Sequence, residues 1–258
     1  MLLGRGTEPA ADSDYAAVTP WLPDRRRLYC VGDIHGRLDL LDELHDMIRA
    51  DAEGFSGSLG VIYLGDYVDR GAQSKQVLDC LIGQPLDGFE AIYLMGNHER
   101  AMLDFLDHPN VAAAWLDFGG QVTLMSYGVG VGQVLTGRPP EALRDELVRN
   151  LPVEHRQFLE GCRLQHREGS YGFVHAGVRP GVPLDQQSAD DLLWIRDEFL
   201  RSRDDHGCIV VHGHSITEEA ELLPNRICID TGAYSSGLLT ALVLEADSQR
   251  LLQTGRAT

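Results

Sequence analysis

The sequence predicts a layered α/β fold, because strand-like and helix-like segments alternate along its N-terminal part. Apolar, β-branched runs bounded by glycine are typical of buried strands, and they occur at 28–31, 61–64 and 91–95. Each run is followed by apolar residues at helical spacing, over 38–50, 74–82 and 98–106. A β-α-β-α-β-α beginning of this kind is typical of a sheet covered by helices.

Residues 110–165 interrupt this alternation and predict a mostly helical insertion, with helices over 141–150 and 153–161. Such an insertion either borders a pocket or is a structural elaboration away from it, and the sequence leaves both possibilities open. Further on, one helix is expected over 188–200. Strands are expected at 171–174, 208–211, 226–229 and 238–244.

Length and composition favour one globular enzyme-sized domain. The 258 residues are 43% apolar, and we expect a single domain over 25–258 after a flexible tail over 1–24. The net charge of −17 disfavours nucleic acid as a partner, because such binding needs clustered cations. No apolar run reaches the roughly 18 residues that a membrane helix needs. The five cysteines form no CxxC pair, which predicts free thiols and a cytoplasmic location.

Polar side chains follow the first three predicted strands. Asp33 and His35 lie in Gly-Asp-Ile-His-Gly, Asp66 lies in Gly-Asp-Tyr-Val-Asp-Arg-Gly, and Asn97 lies in Gly-Asn-His-Glu. Ligands in open α/β sheets bind beyond the carboxyl ends of the strands, so we expect these side chains to meet there. Oxygen and imidazole donors without thiolate suit Mn, Fe or Zn.

Each of these residues, taken alone, has a simpler structural explanation. A lone histidine near a strand end usually makes an ordinary hydrogen bond, and a lone aspartate before a turn usually accepts one from the backbone. The combination argues against that explanation here, because two later strands also end in His175 and His214. The set predicts a metal site with phosphate-ester chemistry.

The three segments resemble the signatures GDxHG, GDxVDRG and GNHE of the phosphoprotein phosphatase branch of the calcineurin-like metallophosphoesterases. His175-Ala176-Gly177 and Gly213-His214 resemble two later elements of that family, in the same order along the chain. The resemblance implies a four-layer α-β-β-α sandwich, with the helical insertion around 110–165. It also implies two divalent metal ions, with Mn favoured and Fe or Zn as alternatives.

The resemblance assigns roles to individual residues. It implies one metal held by Asp33, His35 and Asp66, with Asp66 shared by both metals. The second metal is then held by Asp66, Asn97, His175 and His214. His98 is the expected general acid, oriented by Asp69, while a water ionised by the metals attacks phosphorus. The residues expected to contact substrate are Arg70, Asn97, Arg196 and Tyr234.

Two enzymatic functions and one non-enzymatic function follow as hypotheses. The first is a protein serine/threonine phosphatase that acts on a phosphorylated protein or peptide as a monomer, with activity on phosphotyrosine left open. The second is a hydrolase of diadenosine tetraphosphate or another small phosphoester. Asp69 and Glu99 favour the first, because the nucleotide hydrolases of this branch typically lack that aspartate and end the third motif in aspartate. A binding protein without activity would need a missing ligand, and the sequence lacks none.

Overall fold

The computed structural model describes residues 18–130 and 138–255. Within these residues, ten strands form two five-stranded sheets. The strands are Arg26–Val31 (β1), Ser58–Tyr63 (β2), Phe89–Tyr93 (β3), Gln165–Glu168 (β4), Tyr171–Val174 (β5), Ile209–His212 (β6), Glu221–Leu222 (β7), Arg226–Cys228 (β8), Thr240–Glu245 (β9) and Ser248–Gln253 (β10).

The helices of the described residues are mostly short. They are Leu38–Ala52 (α1), Ser74–Ile82 (α2), Asn97–Asp107 (α3), Ala112–Trp115 (α4), Gln121–Ser126 (α5), Pro140–Asn150 (α6), Val153–Gly161 (α7), Ala189–Trp194 (α8), Asp197–Leu200 (α9) and Ala233–Ser236 (α10). A π-helical turn at Leu116–Gly120 joins α4 to α5. None of the helices in the described segments is long and apolar enough to cross a membrane.

Both sheets have a parallel centre. The first has the order β10-β9-β1-β2-β3, in which β1, β2 and β3 are parallel and β9 and β10 are antiparallel. The second has the order β4-β5-β6-β8-β7, in which β5, β6 and β8 are parallel and the two edge strands are antiparallel. Parallel strands end on the same side of a sheet, so each sheet collects the residues that follow its central strands at one edge.

The alternation of side chains along the strands builds the layers. In β1, Leu28 and Cys30 point between the two sheets, whereas Tyr29 and Val31 point towards α1 and its neighbours. The inner core contains apolar residues of both sheets, including Phe173 of β5. A third apolar cluster joins the outer face of the second sheet to α8 and α9. This arrangement confirms the predicted α-β-β-α sandwich.

Several elements differ from the sequence-based expectation. The single helix expected over 188–200 is broken into α8 and α9, because Arg196 has a non-helical backbone (φ −132°, ψ −105°). The strands β4, β7 and β10 were not predicted. All three are edge strands: β7 has only two residues, and β4 and β10 are largely polar and partly exposed, so each gives a weak strand signal.

The expected tail over 1–24 differs from the structure in its last residues. Residues 1–17 lie outside the described part of the chain. Leu22, however, is buried, and its N–H donates to the Ala246 carbonyl at 2.8 Å. Trp21 N–H donates to the Ser170 hydroxyl at 2.8 Å. The segment around these two residues therefore packs against both sheets.

Candidate metal centre

The backbone is strained where the strands deliver side chains to the centre. Among the described residues, eight non-glycine residues have positive φ, and five of these belong to the predicted site. They are His35 (47°), Asp66 (52°), Asp69 (70°), Arg70 (66°) and His214 (63°). Each such conformation costs about 1–3 kcal/mol and persists only where the surrounding structure enforces it. The surrounding structure therefore keeps these five residues in a backbone conformation that they would not adopt in isolation.

Asp66 lies at the middle of the cluster, and its two carboxylate oxygens face opposite sides. Oδ2 is 3.4 Å from His35 Nε2, and Oδ1 is 3.4 Å from His175 Nε2. His35 Nδ1 lies 2.9 Å from the Val68 carbonyl, and His175 Nδ1 lies 2.9 Å from the Leu64 carbonyl. These contacts use Nδ1–H as the donor and leave Nε2 with a lone pair that points inward, which suits a metal ligand.

Asn97 joins the side of Asp66 that faces the second sheet. Its Oδ1 is 2.8 Å from His175 Nε2 and 2.8 Å from His214 Nδ1. One ligand atom each from Asp66, His175 and His214 lies within 4.8 Å of the others. Four donors from β2, β3, β5 and β6 thus converge on one position.

Asp33 completes the cluster and provides a test of whether cations fit it. Its Oδ2 accepts a hydrogen bond from the His214 N–H at 3.0 Å, whereas Asp33 Oδ1 and His214 Nε2 are buried without a partner. A Cβ at Gly213 would lie 2.0 Å from Asp33 Oδ1, so a glycine is required there. Buried donor atoms with no partner, of the types that hard and borderline cations prefer, fit divalent metal ions.

The electrostatics of the cluster support the same conclusion. Burial, followed by the charges of Asp230 and Asp66, holds the pKa of Asp33 well above its ordinary value. Burial lowers the pKa of His35 to about 3 and also lowers the pKa of His175. The imidazoles of His35 and His175 are therefore neutral and available as ligands.

Asp69 and His98 form a hydrogen-bonded pair at the rim of the cluster. His98 Nδ1 is 2.7 Å from Asp69 Oδ2. Burial lowers the pKa of His98, but the charges of Asp66 and Asp69 outweigh it, so the pKa lies above its ordinary value. His98 Nε2 lies 3.2 Å from Arg70 Nη2 and faces the side where a substrate would bind. The pair has the geometry of a general acid held by a carboxylate.

The predicted substrate-contacting residues surround the cluster. The Arg70 guanidinium lies over the Tyr234 ring, 4.7 Å from its centroid, and Tyr234 stands edge-on to His35 at 5.5 Å. Arg196 is exposed, at the break between α8 and α9, and its charge contributes to the lowered pKa of His214. Asn97, the remaining residue of this group, lies within the cluster.

His212, two residues before His214 at the end of β6, lies outside the cluster. Its ring packs against Phe199 with centroids 5.0 Å apart, and its Nδ1 is 3.1 Å from the Gly213 carbonyl. Strand β6 ends at His212, and the turn that follows it, in which His214 has a left-handed backbone (φ 63°), separates the two side chains. All five cysteines are free, and none belongs to the two clusters around Asp66.

Three residues that support the site by hydrogen bonds were not predicted to do so from the sequence. Trp115 Nε1 donates to Asp69 Oδ2 at 3.0 Å, and the Thr123 hydroxyl donates to Asp69 Oδ1 at 2.6 Å. The insertion therefore borders the site. Glu99 accepts hydrogen bonds from the N–H groups of Asp66, Tyr67, Val68 and Gly96, at 2.7–3.2 Å. Its place three residues after Gly96, typical of a capping box, was the available signal.

Comparison with known proteins identifies the family. The model of the calcineurin-like phosphoesterases matches residues 26–237, so the chain belongs to that family. The family implies a hydrolase of phosphate esters that uses divalent metal ions, in agreement with the predicted resemblance.

Individual relatives carry two different activities in their names. The chain is 27% identical over 225 residues to the asymmetrical bis(5'-nucleosyl)-tetraphosphatase PrpE of Anoxybacillus flavithermus, covering 82% of this chain and 88% of that protein. It is also 27% identical over 225 residues to serine/threonine-protein phosphatase 2 of Salmonella typhimurium, covering 83% of this chain and 91% of that protein. A solved structure described as a candidate diadenosine tetraphosphatase has a TM-score of 0.63, covering 94% of this chain and 100% of that one. At 20% identity, this last likeness concerns the fold alone.

Proposed function

We propose that this phosphoesterase is a protein phosphatase that hydrolyses phosphoserine and phosphothreonine in proteins or peptides. The observation that carries the proposal is the pair of Asp69 and His98, in contact at 2.7 Å and adjacent to Arg70. Serine and threonine depart as alkoxides, which are poor leaving groups until they are protonated. A histidine whose pKa is raised and whose ring is held by a carboxylate can supply the proton that this reaction needs.

Different side chains of the metal centre bind the cations and the phosphoryl group in this hydrolysis. Asp33, His35, Asp66, Asn97, His175 and His214 would hold two divalent cations, with Asp66 shared between them. When bound, these cations polarise the phosphoryl group and lower the pKa of a coordinated water to near neutrality. Mn(II) is the cation we propose, although Fe and Zn suit the same donors. Arg70 and Arg196 bind the phosphoryl oxygens, because a guanidinium offers paired donors in a fixed plane.

Proton transfer falls to His98. Asp69 accepts the Nδ1–H bond and fixes the ring, so that Nε2 is the nitrogen that gives a proton to the departing oxygen. Trp115 and Thr123 hold the Asp69 carboxylate in turn. In the hydrolysis of diadenosine tetraphosphate, the departing oxygen belongs to the phosphate chain of a nucleotide. It is a better leaving group than an alkoxide and depends less on a proton from His98. The buried and well-supported pair therefore favours the protein substrate.

A second candidate is the hydrolysis of diadenosine tetraphosphate, which one feature of the rim favours. Phe118 and Trp194 are 43% and 39% exposed, and their ring centroids are 6.1 Å apart. Phe118 is 6.2 Å from His98, and Trp194 is 6.2 Å from His214. Exposed aromatic rings beside a phosphate site can stack on a nucleobase, typically with about 1–3 kcal/mol per base.

The two candidates are separated by parallel kinetics on the purified protein with Mn(II). The substrates are a phosphoserine peptide, a phosphotyrosine peptide and diadenosine tetraphosphate, each followed by kcat/KM. We expect the phosphoserine peptide to be preferred. Phe118→Ala should then have a modest effect, similar to that of Met125→Ala, which removes another exposed apolar side chain of the same insertion. A clear preference for the dinucleotide, with a selective loss in Phe118→Ala, would overturn the proposal.

A further inference from the structure

A second group of metal-ligating side chains lies between helices α1 and α2, away from the phosphoesterase site. It consists of Asp42 and His45 on α1 and Cys80 on α2. One ligand atom from each of these residues lies within 4.8 Å of the others. Asp42 and His45 are three residues apart, which places them on the same face of α1, one turn from each other.

The imidazole of His45 supplies an independent observation. The residue is only 1% exposed, and its Nε2 is 2.8 Å from the Tyr63 hydroxyl. Its other nitrogen, Nδ1, is buried and has no hydrogen-bond partner. A buried polar atom without a partner costs free energy, and native structures contain few of them. When Nε2–H donates to Tyr63, the free lone pair is on Nδ1, as a metal ligand requires.

From this arrangement we infer that Asp42, His45 and Cys80 form a zinc-binding site that ties α1 to α2. Thiolate, imidazole and carboxylate together suit Zn²⁺, whereas the oxygen-rich phosphoesterase site suits harder cations. In a tetrahedral zinc site, neighbouring sulfur and nitrogen ligands are about 3.5 Å apart. Asp42 is exposed and Cys80 half-buried, so small rotations of these two side chains can close the remaining distance. A water molecule would take the fourth position.

The charges around the cluster are compatible with a cation. Burial and the nearby Asp42 carboxylate raise the pKa of the Cys80 thiol to about 11, so the thiol is protonated without metal. Zn²⁺ binding would form a Zn–S bond, break the S–H bond and release that proton to solvent. The positive charge that acts on both His45 and Cys80 is that of Arg49, whose guanidinium is paired with Asp46 at 2.6 Å.

The position of the site gives the cation a structural role. Helix α1 begins just after the turn that contains His35, and α2 begins at Ser74, whose hydroxyl accepts the Asp69 N–H at 3.1 Å. A cation between the helices would therefore join the two segments that follow the first two catalytic motifs. Because the site exists only in the folded chain, the cation would stabilise that state by an amount that grows with the logarithm of the free metal concentration.

Cobalt(II) titration of the reduced, full-length protein tests this site. Thiolate coordination to Co(II) gives a near-ultraviolet charge-transfer band, and the phosphoesterase cluster contains no cysteine. We expect the wild-type protein to develop this band, with a final intensity that corresponds to one thiolate-bound Co(II) per chain, and Zn(II) to abolish it. Cys80→Ser should show no band. Cys162→Ser, which removes another half-buried thiol, should keep it.

Two further variants separate this site from the catalytic one and from effects on folding. Asp42→Asn changes an exposed residue and should weaken Co(II) binding at least about tenfold, since even supporting groups of metal sites contribute that much. Asp66→Asn should keep the band while losing turnover, so a failure of the proposed phosphatase activity would leave this result unaffected. A wild-type protein without the band at saturating Co(II), or a band that persists in Cys80→Ser, would overturn the inference.

Discussion

Two charged regions of this molecule, one partly exposed and one buried, balance their charges in different ways. In the network of Asp51, Arg27, Tyr29 and Arg250, charges of opposite sign are paired. Asp51 accepts hydrogen bonds from the Tyr29 hydroxyl at 2.6 Å and from both arginines. At the carboxyl ends of the strands, by contrast, the carboxylates of Asp33, Asp66 and Asp230 lie close to one another. The neutral imidazoles of His35 and His175 lie beside them, and part of the backbone there is strained.

The pKa values record this difference. Burial raises the pKa of Asp51, but Arg250 and Tyr29 outweigh it, and the net pKa lies below the ordinary value. At the metal centre, burial and the neighbouring carboxylates leave the pKa of Asp33 above its ordinary value, and the pKa of Asp230 is raised to about 6. The first region stabilises the fold by itself, whereas the second requires cations to balance its charge. Raised pKa values, at Asp33 and Asp230, therefore distinguish the metal centre from the Asp51 network.

Among the substitutions at the metal centre, the replacement of His98 should cause the largest loss of kcat. His98→Asn should reduce kcat for a phosphoserine peptide by about 10²–10⁴, the usual contribution of a general acid. The loss for p-nitrophenyl phosphate, whose leaving group needs no proton, should be much smaller. Steady-state kinetics on both substrates, with metal content measured in parallel, check this prediction. Equal losses on both substrates would contradict the assigned role.

Asp51→Asn tests the paired region. The substitution removes the charge that faces two arginines and should lower the free energy of unfolding by about 2 kcal/mol. Chemical denaturation at pH 7 measures this change, and Asp197→Asn, in an exposed pair with Arg201, should have almost no effect. Because the folded-state pKa of Asp51 is depressed, its stabilisation is complete above about pH 4 and is lost as the pH falls through that pKa. The difference from wild type should therefore shrink near pH 3.

Trp115→Phe tests the support of the catalytic pair. It removes one hydrogen bond to Asp69 while keeping an aromatic ring in the core, and should lower kcat about tenfold. KM should change little, because Trp115 supports Asp69 and has no place in substrate binding. The alkaline limit of the pH–rate profile should also shift. An unchanged kcat and profile would show that Thr123 alone holds the carboxylate.

The sequence predicted the metal ligands better than the residues that hold them and the catalytic pair in place. Asp33, Asp66 and Asn97 follow strands with a strong apolar signal, and parallel strands bring their ends together. The role of Trp115 was not predictable, because its contact with Asp69 joins residues 46 apart, across a helical insertion. The break at Arg196 was hidden for a similar reason, since helix propensity around it is satisfactory and tertiary packing decides its backbone.

Asp230→Asn should cause the smallest change. It should stabilise the fold, whereas Asp51→Asn should destabilise it. Asp230 accepts the Gly232 N–H at 2.9 Å, and an asparagine oxygen can keep that bond. Removing one of the crowded charges should raise the melting temperature of the chelated protein by about 2–4 °C, corresponding to roughly 1 kcal/mol. Saturation with Mn(II) should abolish this gain. A lower melting temperature in the chelated variant would place Asp230 among the paired charges.

Anomalous diffraction from crystals grown with Mn(II) tests the two-cation centre most directly. We expect two manganese peaks about 3.5–4 Å apart, both in contact with the Asp66 carboxylate. One peak should contact Asp33 and His35, and the other should contact Asn97, His175 and His214. A single peak, or manganese bound away from Asp66, would contradict the account.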